Sequence, residues 1–283
     1  MRDTVRQVTS GLGRLLSTSR WFGSPLAVLP AACVTTLISL YAASLLFPGD
    51  AGLVAVFLVS LWLVPGYDHF LEENRREIWD EKSSPTRANL RLAARVLLLF
   101  AGVFLAYGVV ALLLPAERVP EVLGAQVQRY ARTHSTLQDL RFGSFASLAR
   151  HNLSVVAIFF LVSIFYRSGG SLLAIAWNAS VWSSCIAWMS RLSTGDGSTA
   201  AVYVKVLAAV SPHMIGEVAG YVLASMAGIF LSRGLVKYAL ASDRFQRVGG
   251  AVLGIAAASA ALVVLSAWLE ASLAPELIRR FFA

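Results

Sequence analysis

A chain of 283 residues that is 57% apolar and only 14% charged, with a mean hydropathy of +0.67, carries more apolar surface than a water-soluble core of that size can hide. Its net charge of +8 and pI near 9.9 would suit a nucleic-acid binder, but the basic residues gather at the ends of apolar stretches, where anionic lipid headgroups are the expected partner. The composition therefore predicts an all-α, polytopic membrane helix bundle embedded in lipid, with no nucleic-acid partner.

Crossing a hydrocarbon core about 30 Å thick takes about 20 apolar residues as a helix. Residues 1–20 are too polar for a signal peptide, and the first apolar run is too long for a cleaved leader, so it is expected to stay as a first span. Apolar stretches follow at 25–47, 51–65, 92–114, 147–165, 171–189, 200–240 and 250–274. They make about seven crossings if the long stretch 200–240 crosses once. Charge supports that reading. With a cytoplasmic amino terminus, the inner side holds Arg2, Arg6, Arg14 and Arg20, the basic residues between Arg75 and Arg95, then Arg167, Arg233, Lys237, Arg244 and Arg247. The outer side holds the minority, at Arg118, Arg129, Arg132, Arg141, Arg150, Arg191, Arg279 and Arg280, as the positive-inside rule requires. A single crossing over 200–240 calls for a helix break near Pro212, either a kink in one long helix or a re-entrant half-helix.

This divides the chain into an N-terminal transmembrane hairpin (1–67), a cytoplasmic charged helix and loop (68–91), and a membrane domain (92–283) with an external amphipathic segment at 116–150. In the charged stretch Glu72 can pair with Arg76, while Leu71, Ile78 and Trp79 form a rough apolar side. In the external segment Val119, Leu123, Val127 and Tyr130 recur at helical spacing, Pro120 suits a first turn, and Leu137, Leu140, Phe145 and Leu148 continue the pattern. Gly195-Asp196-Gly197 reads as an external turn. Cys33 and Cys185 both fall in apolar spans, which predicts free thiols rather than a disulfide framework.

The polar residues inside the spans bear on function. Asn152 opens one span, Asn178 sits in the middle of the next, His213 and Glu217 follow Pro212, and Glu270 lies shortly before Pro275. An ionisable side chain in hydrocarbon costs several kcal/mol, roughly 3 on insertion scales, so such residues normally face one another or a working cavity. His213 and Glu217, at i and i+4, share a helix face. With Glu270 they are expected to meet in one outward-facing pocket that Asn178 lines more deeply. Three chemistries are open: a divalent metal such as zinc on His213, Glu217 and Glu270, a proton relay, or interhelical polar contacts alone. No cofactor motif, nucleophilic triad or phosphate loop is present. Gly216 and Gly220 form one small-residue helix face, and Gly249, Gly250 and Gly254 a second.

From about residue 92 to 275 these elements resemble the stage II sporulation protein M family of integral membrane proteins. Its pattern reads here as Asn152; Gly170 with Asn178-Ala179; Pro212-His213-Met214-Ile215-Gly216-Glu217; and Glu270 ahead of Pro275. Ala179 and Met214 stand where the family usually has glycine, and the hairpin before Asp68 lies outside the resemblance. The sporulating members work with a peptidoglycan transglycosylase and an amidase during engulfment. The resemblance therefore implies a scaffold or membrane-remodelling component of a prokaryotic cytoplasmic membrane. It would have envelope or peptidoglycan-remodelling partners and no catalysis of its own. The competing class is an intramembrane metal-dependent enzyme or proton-coupled transporter using His213, Glu217 and Glu270. Self-association into a homo-oligomer is open on either reading.

Overall fold

The computed structural model describes residues 24–131, 143–191 and 198–282. Its long helices are α1 (Pro25–Leu46), α2 (Ala51–Trp79) and α3 (Pro85–Leu113). A 3₁₀ turn and two short helices follow, α4 (Val119–Val122) and α5 (Gly124–Ala131), then α6 (Phe145–Arg191), α7 (Thr199–Lys237), α8 (Asp243–Ser272) and α9 (Ala274–Phe282). No strand occurs among the described residues. Six of the helices, α1, α2, α3, α6, α7 and α8 with α9, are long and apolar enough to cross a membrane. Their starts follow local chemistry. Pro85 occupies the first turn of α3, where its missing N–H costs nothing. Ser198 and Ser242 cap α7 and α8, accepting from the N–H groups of Ala201 and Phe245, each at 3.2 Å.

The 47 residues of α6 would span about 70 Å as one rod, more than twice the hydrocarbon thickness. Instead the chain turns back at Arg167, whose φ of 50° and ψ of −130° lie outside helical space. The reversal is tight. A Cβ on Gly170 would lie 2.6 Å from the Val162 carbonyl oxygen, although eight residues of continuous helix would separate the two by about 12 Å. Residues 145–166 and 168–191 are thus two limbs of a helical hairpin, as the gap between the predicted stretches at 147–165 and 171–189 implied.

No helix break occurs at Pro212, contrary to expectation; α7 runs unbroken through it. Proline removes the N–H that would bond the Ala208 carbonyl. The Ser211 hydroxyl donates to that same carbonyl at 3.1 Å, so the ladder is mended from one residue away and no re-entrant segment is needed. Likewise α2 continues through Pro65 to Trp79, so the predicted charged helix is the far end of a span rather than a separate element.

Packing places the α6 hairpin centrally, with α1, α2 and α3 on one side and α7 and α8 on the other. At the end of the bundle holding the α2–α3 and α7–α8 connections, the Asp68 carboxylate accepts from Ser168 at 2.6 Å and from Arg233 at 2.9 Å, joining α2, α6 and α7. Arg91 and Arg95 of α3 pair with Glu77 and Glu73 of α2. Glu72 pairs with Arg75 and not with the expected Arg76, which reaches Glu81. At the opposite end Val119, Leu123 and Val127, predicted to share a helix face, are fully buried as α5 packs against α6 and α2. There Arg191 donates to the carbonyls of Ala111, Leu112 and Leu114 that end α3, a favourable place for a cation. Cys33 and Cys185 are free thiols. The arginines of residues 1–23, Arg132 and Arg141, the pattern at Leu137 and Leu140, and the turn at Gly195 to Gly197 lie outside the described residues.

Candidate functional site

Helices α7 and α8 meet along small residues. A Cβ on Gly220 would come within 2.5 Å of Val263, the Ser266 hydroxyl lies directly against Gly216, and the Ser259 hydroxyl donates to the Gly220 carbonyl at 2.7 Å. This is the predicted Gly216 and Gly220 face, and its function is proximity: with backbones this close, short polar side chains can bridge the helices. The second small-residue face, at Gly249, Gly250 and Gly254, does not pack against any described residue. Nothing among the described residues lies within 4 Å of a Cβ placed at any of the three, because that side of α8 faces outward.

Just beyond the glycine contact, three helices contribute to one polar cluster. The Asn152 side chain, on the first limb of α6, donates from Nδ2 to Oε1 of Glu217 on α7 at 2.8 Å. Tyr221, one turn further along α7, donates its hydroxyl to Oδ1 of Asn152 at 3.3 Å. The Glu270 carboxyl, from α8, lies beside that of Glu217. Asn152 and Glu217 are buried, at 3% and 6% exposure, while Glu270 is half-buried. The network is directional. An amide has one acceptor and one donor group, and turning Asn152 over would aim its oxygen at a carboxylate oxygen and take its acceptor away from the Tyr221 hydroxyl. The cluster is thus a chain of Tyr–OH to Asn to Glu, with the Glu270 carboxyl beside that of Glu217.

Aromatic packing fixes the buried end. The Tyr221 ring stacks on Phe159 with centroids 5.1 Å apart, and Trp182 lies 6.1 Å away with Phe100 behind it at 5.8 Å. The hydroxyl of Tyr221 therefore has little freedom to leave Asn152.

Of the residues singled out from sequence, Asn152, Glu217 and Glu270 are brought together. His213 is half-buried one turn earlier on α7, and its ring makes no hydrogen bond or ion pair among the described residues. Asn178 bonds within its own helix, donating to the Ala174 carbonyl at 2.9 Å. Among the described residues no group of three or more His, Cys, Asp or Glu side chains is gathered as a metal site. Sequence reasoning missed Tyr221, although its spacing signalled it: His213, Glu217 and Tyr221 recur every four residues along one face of α7. Tyrosine was overlooked because, unlike carboxylate and imidazole, it is unremarkable in an apolar span.

The fold and this cluster define a polytopic helical membrane protein with a carboxyl pair shared between two of its helices. The family model described as Stage II sporulation protein M matches residues 95–275, a segment from α3 to the start of α9, and the chain belongs to that family. No match was found among curated proteins or solved structures.

Proposed function

We propose that the protein is a scaffold or membrane-remodelling component of a prokaryotic cytoplasmic membrane. It crosses seven times with its amino terminus inside, and it organises envelope or peptidoglycan-remodelling proteins. The observation that carries this reading is that the polar groups of Asn152, Glu217 and Tyr221 are hydrogen-bonded to one another across α6 and α7, with the Glu270 carboxyl of α8 against Glu217. A catalytic or transport site presents polar groups to a cavity and to a substrate. A set that bonds internally holds helices at a fixed spacing, which is what a scaffold requires of its membrane domain. The α6 reversal at Arg167, with Asp68, Arg233 and the α2–α3 pairs at the same end, supports seven crossings with this basic end inside.

The test is complementation in host cells lacking the protein. Loss should alter the cell outline and the peptidoglycan composition. Wild type and Glu217→Gln should both restore them, because the amide keeps the bond to Asn152 while removing the charge. Failure of a stably inserted Glu217→Gln variant to complement, together with stoichiometric metal or proton-coupled flux in the wild type, would overturn the scaffold in favour of His213, Glu217 and Glu270 as a working site.

A further inference from the structure

At the α2–α3 end of the bundle, away from the carboxyl cluster, lies a cavity of about 490 Å³ between the far end of α2, the start of α3 and the α7–α8 connection. Five cations line it, Arg75, Lys82, Arg233, Lys237 and Arg247, and no carboxylate does. Two of the five are already neutralised: Arg75 by Glu72 at 2.7 Å and Asp80 at 3.5 Å, and Arg233 by Asp68 at 2.9 Å. Lys82, Lys237 and Arg247 form no ion pair among the described residues, and the five cations set against Glu72, Asp80 and Asp68 leave a surplus of two positive charges around one opening. Like charges held together repel unless something negative sits among them.

The backbone adds a second sign of purpose. Lys82 sits at φ 52°, in the left-handed region that favours glycine, so a long cationic side chain stands where the turn by itself would prefer none. Below the charged rim the walls are apolar: Ile78 and Trp79 from α2, Phe230 from α7 and Val248 from α8. Arg244 lies over the rings of Trp79 and Tyr238, 5.8 and 6.0 Å from their centroids, and holds that wall in place. The lining continues to Ala251 on the exposed side of α8, so the apolar floor runs out onto the hydrocarbon-facing surface.

A cationic rim over an apolar floor that opens toward lipid fits a molecule with an anion at one end and hydrocarbon at the other. We propose that this cavity is a specific binding site for an anionic phospholipid, whose phosphate is held by Lys82, Lys237 and Arg247 and whose acyl chain lies along Ile78, Trp79, Phe230 and Val248. The volume admits a headgroup and the first part of one chain. A soluble phosphate would satisfy the rim but leave the floor empty. The bound lipid also bridges α2, outside the family match, to α7 and α8, inside it, and so ties the N-terminal hairpin to the family domain.

The experiment titrates the purified full-length protein in zwitterionic detergent with brominated phosphatidylglycerol, reading tryptophan fluorescence and taking the difference between wild type and Trp79→Phe as the Trp79 signal. Saturable quenching of Trp79 is expected with brominated phosphatidylglycerol. At least tenfold more brominated phosphatidylcholine should be needed for the same effect. Combined Lys82→Gln, Lys237→Gln and Arg247→Gln substitution should raise the half-saturating lipid concentration about tenfold with the thermal midpoint of the lipid-free protein unchanged. Arg87→Gln, at the same end but outside the cavity, should leave it unaltered. Equal quenching by the two lipids, or an undiminished response in the triple variant, would overturn the site. Full competition by millimolar glycerol phosphate would reassign it to a soluble anion and overturn the lipid proposal.

Discussion

Asn152 links the cluster because its amide donates to Glu217 and accepts from Tyr221. Replacing it with Leu leaves the buried Glu217 oxygen without its donor and the Tyr221 hydroxyl without its acceptor. An unsatisfied buried polar group costs about 1–3 kcal/mol, whereas hydrogen bonds between membrane helices average about 0.6 kcal/mol. Asn152→Leu should therefore destabilise more than Tyr221→Phe, which removes only the longer bond. Thermal unfolding of the two purified variants checks the order, and equal midpoints would contradict the linkage. Glu217 separates bonding from charge in the same way. Glu217→Gln should keep a near-native unfolding midpoint, while Glu217→Ala should lose about 1–3 kcal/mol as the buried Asn152 Nδ2 loses its acceptor.

At the scale of elements, the α6 hairpin and the unbroken α7 make opposite demands on the chain. The hairpin depends on Gly170 lacking a side chain, since any Cβ would press into the Val162 carbonyl and Tyr166. Gly170→Val should abolish accumulation of folded protein in the membrane, measured as loss of the monodisperse peak on size-exclusion chromatography. Gly249→Val, where nothing among the described residues lies within 4 Å of the added Cβ, should leave that peak unchanged. In α7, Pro212 sits within regular helix and its missing bond is replaced by Ser211. Pro212→Ala should therefore leave the unfolding midpoint the same or raise it. Ser211→Ala should lower it slightly, by well under the roughly 1 kcal/mol of a typical hydrogen bond, because Ser211 lies near the surface. A large loss in Pro212→Ala would mean that a bend at this position, and not merely tolerance of proline, is required.

For the whole molecule the proposed orientation makes a direct prediction. In a background with Cys33 and Cys185 replaced, single cysteines at Ser83 and Asp243 should react with an impermeant reagent only after the inner face is opened. A cysteine at Glu117 should react in intact cells. Labelling of Ser83 and Glu117 from the same side would refute the seven-crossing arrangement. By itself the sequence determined the class of fold and where its apolar stretches lie, because insertion into hydrocarbon is decided locally, by about 20 consecutive side chains and the charges at their ends. It also determined the contact face of Gly216 and Gly220 and three members of the polar cluster, since an Asn or Glu in an apolar span stands out without knowledge of its neighbours. Only the tertiary structure decided which of those polar residues bond. Asn152, Glu217 and Glu270 lie far apart in the chain, and their meeting depends on how α6, α7 and α8 cross. Crossing also left His213 without a hydrogen-bonding partner among the described residues and added Tyr221, whose hydroxyl matters only because Asn152 is opposite. The intact helix at Pro212 was likewise a matter of geometry, since one neighbouring serine hydroxyl sufficed to replace the bond that proline removes.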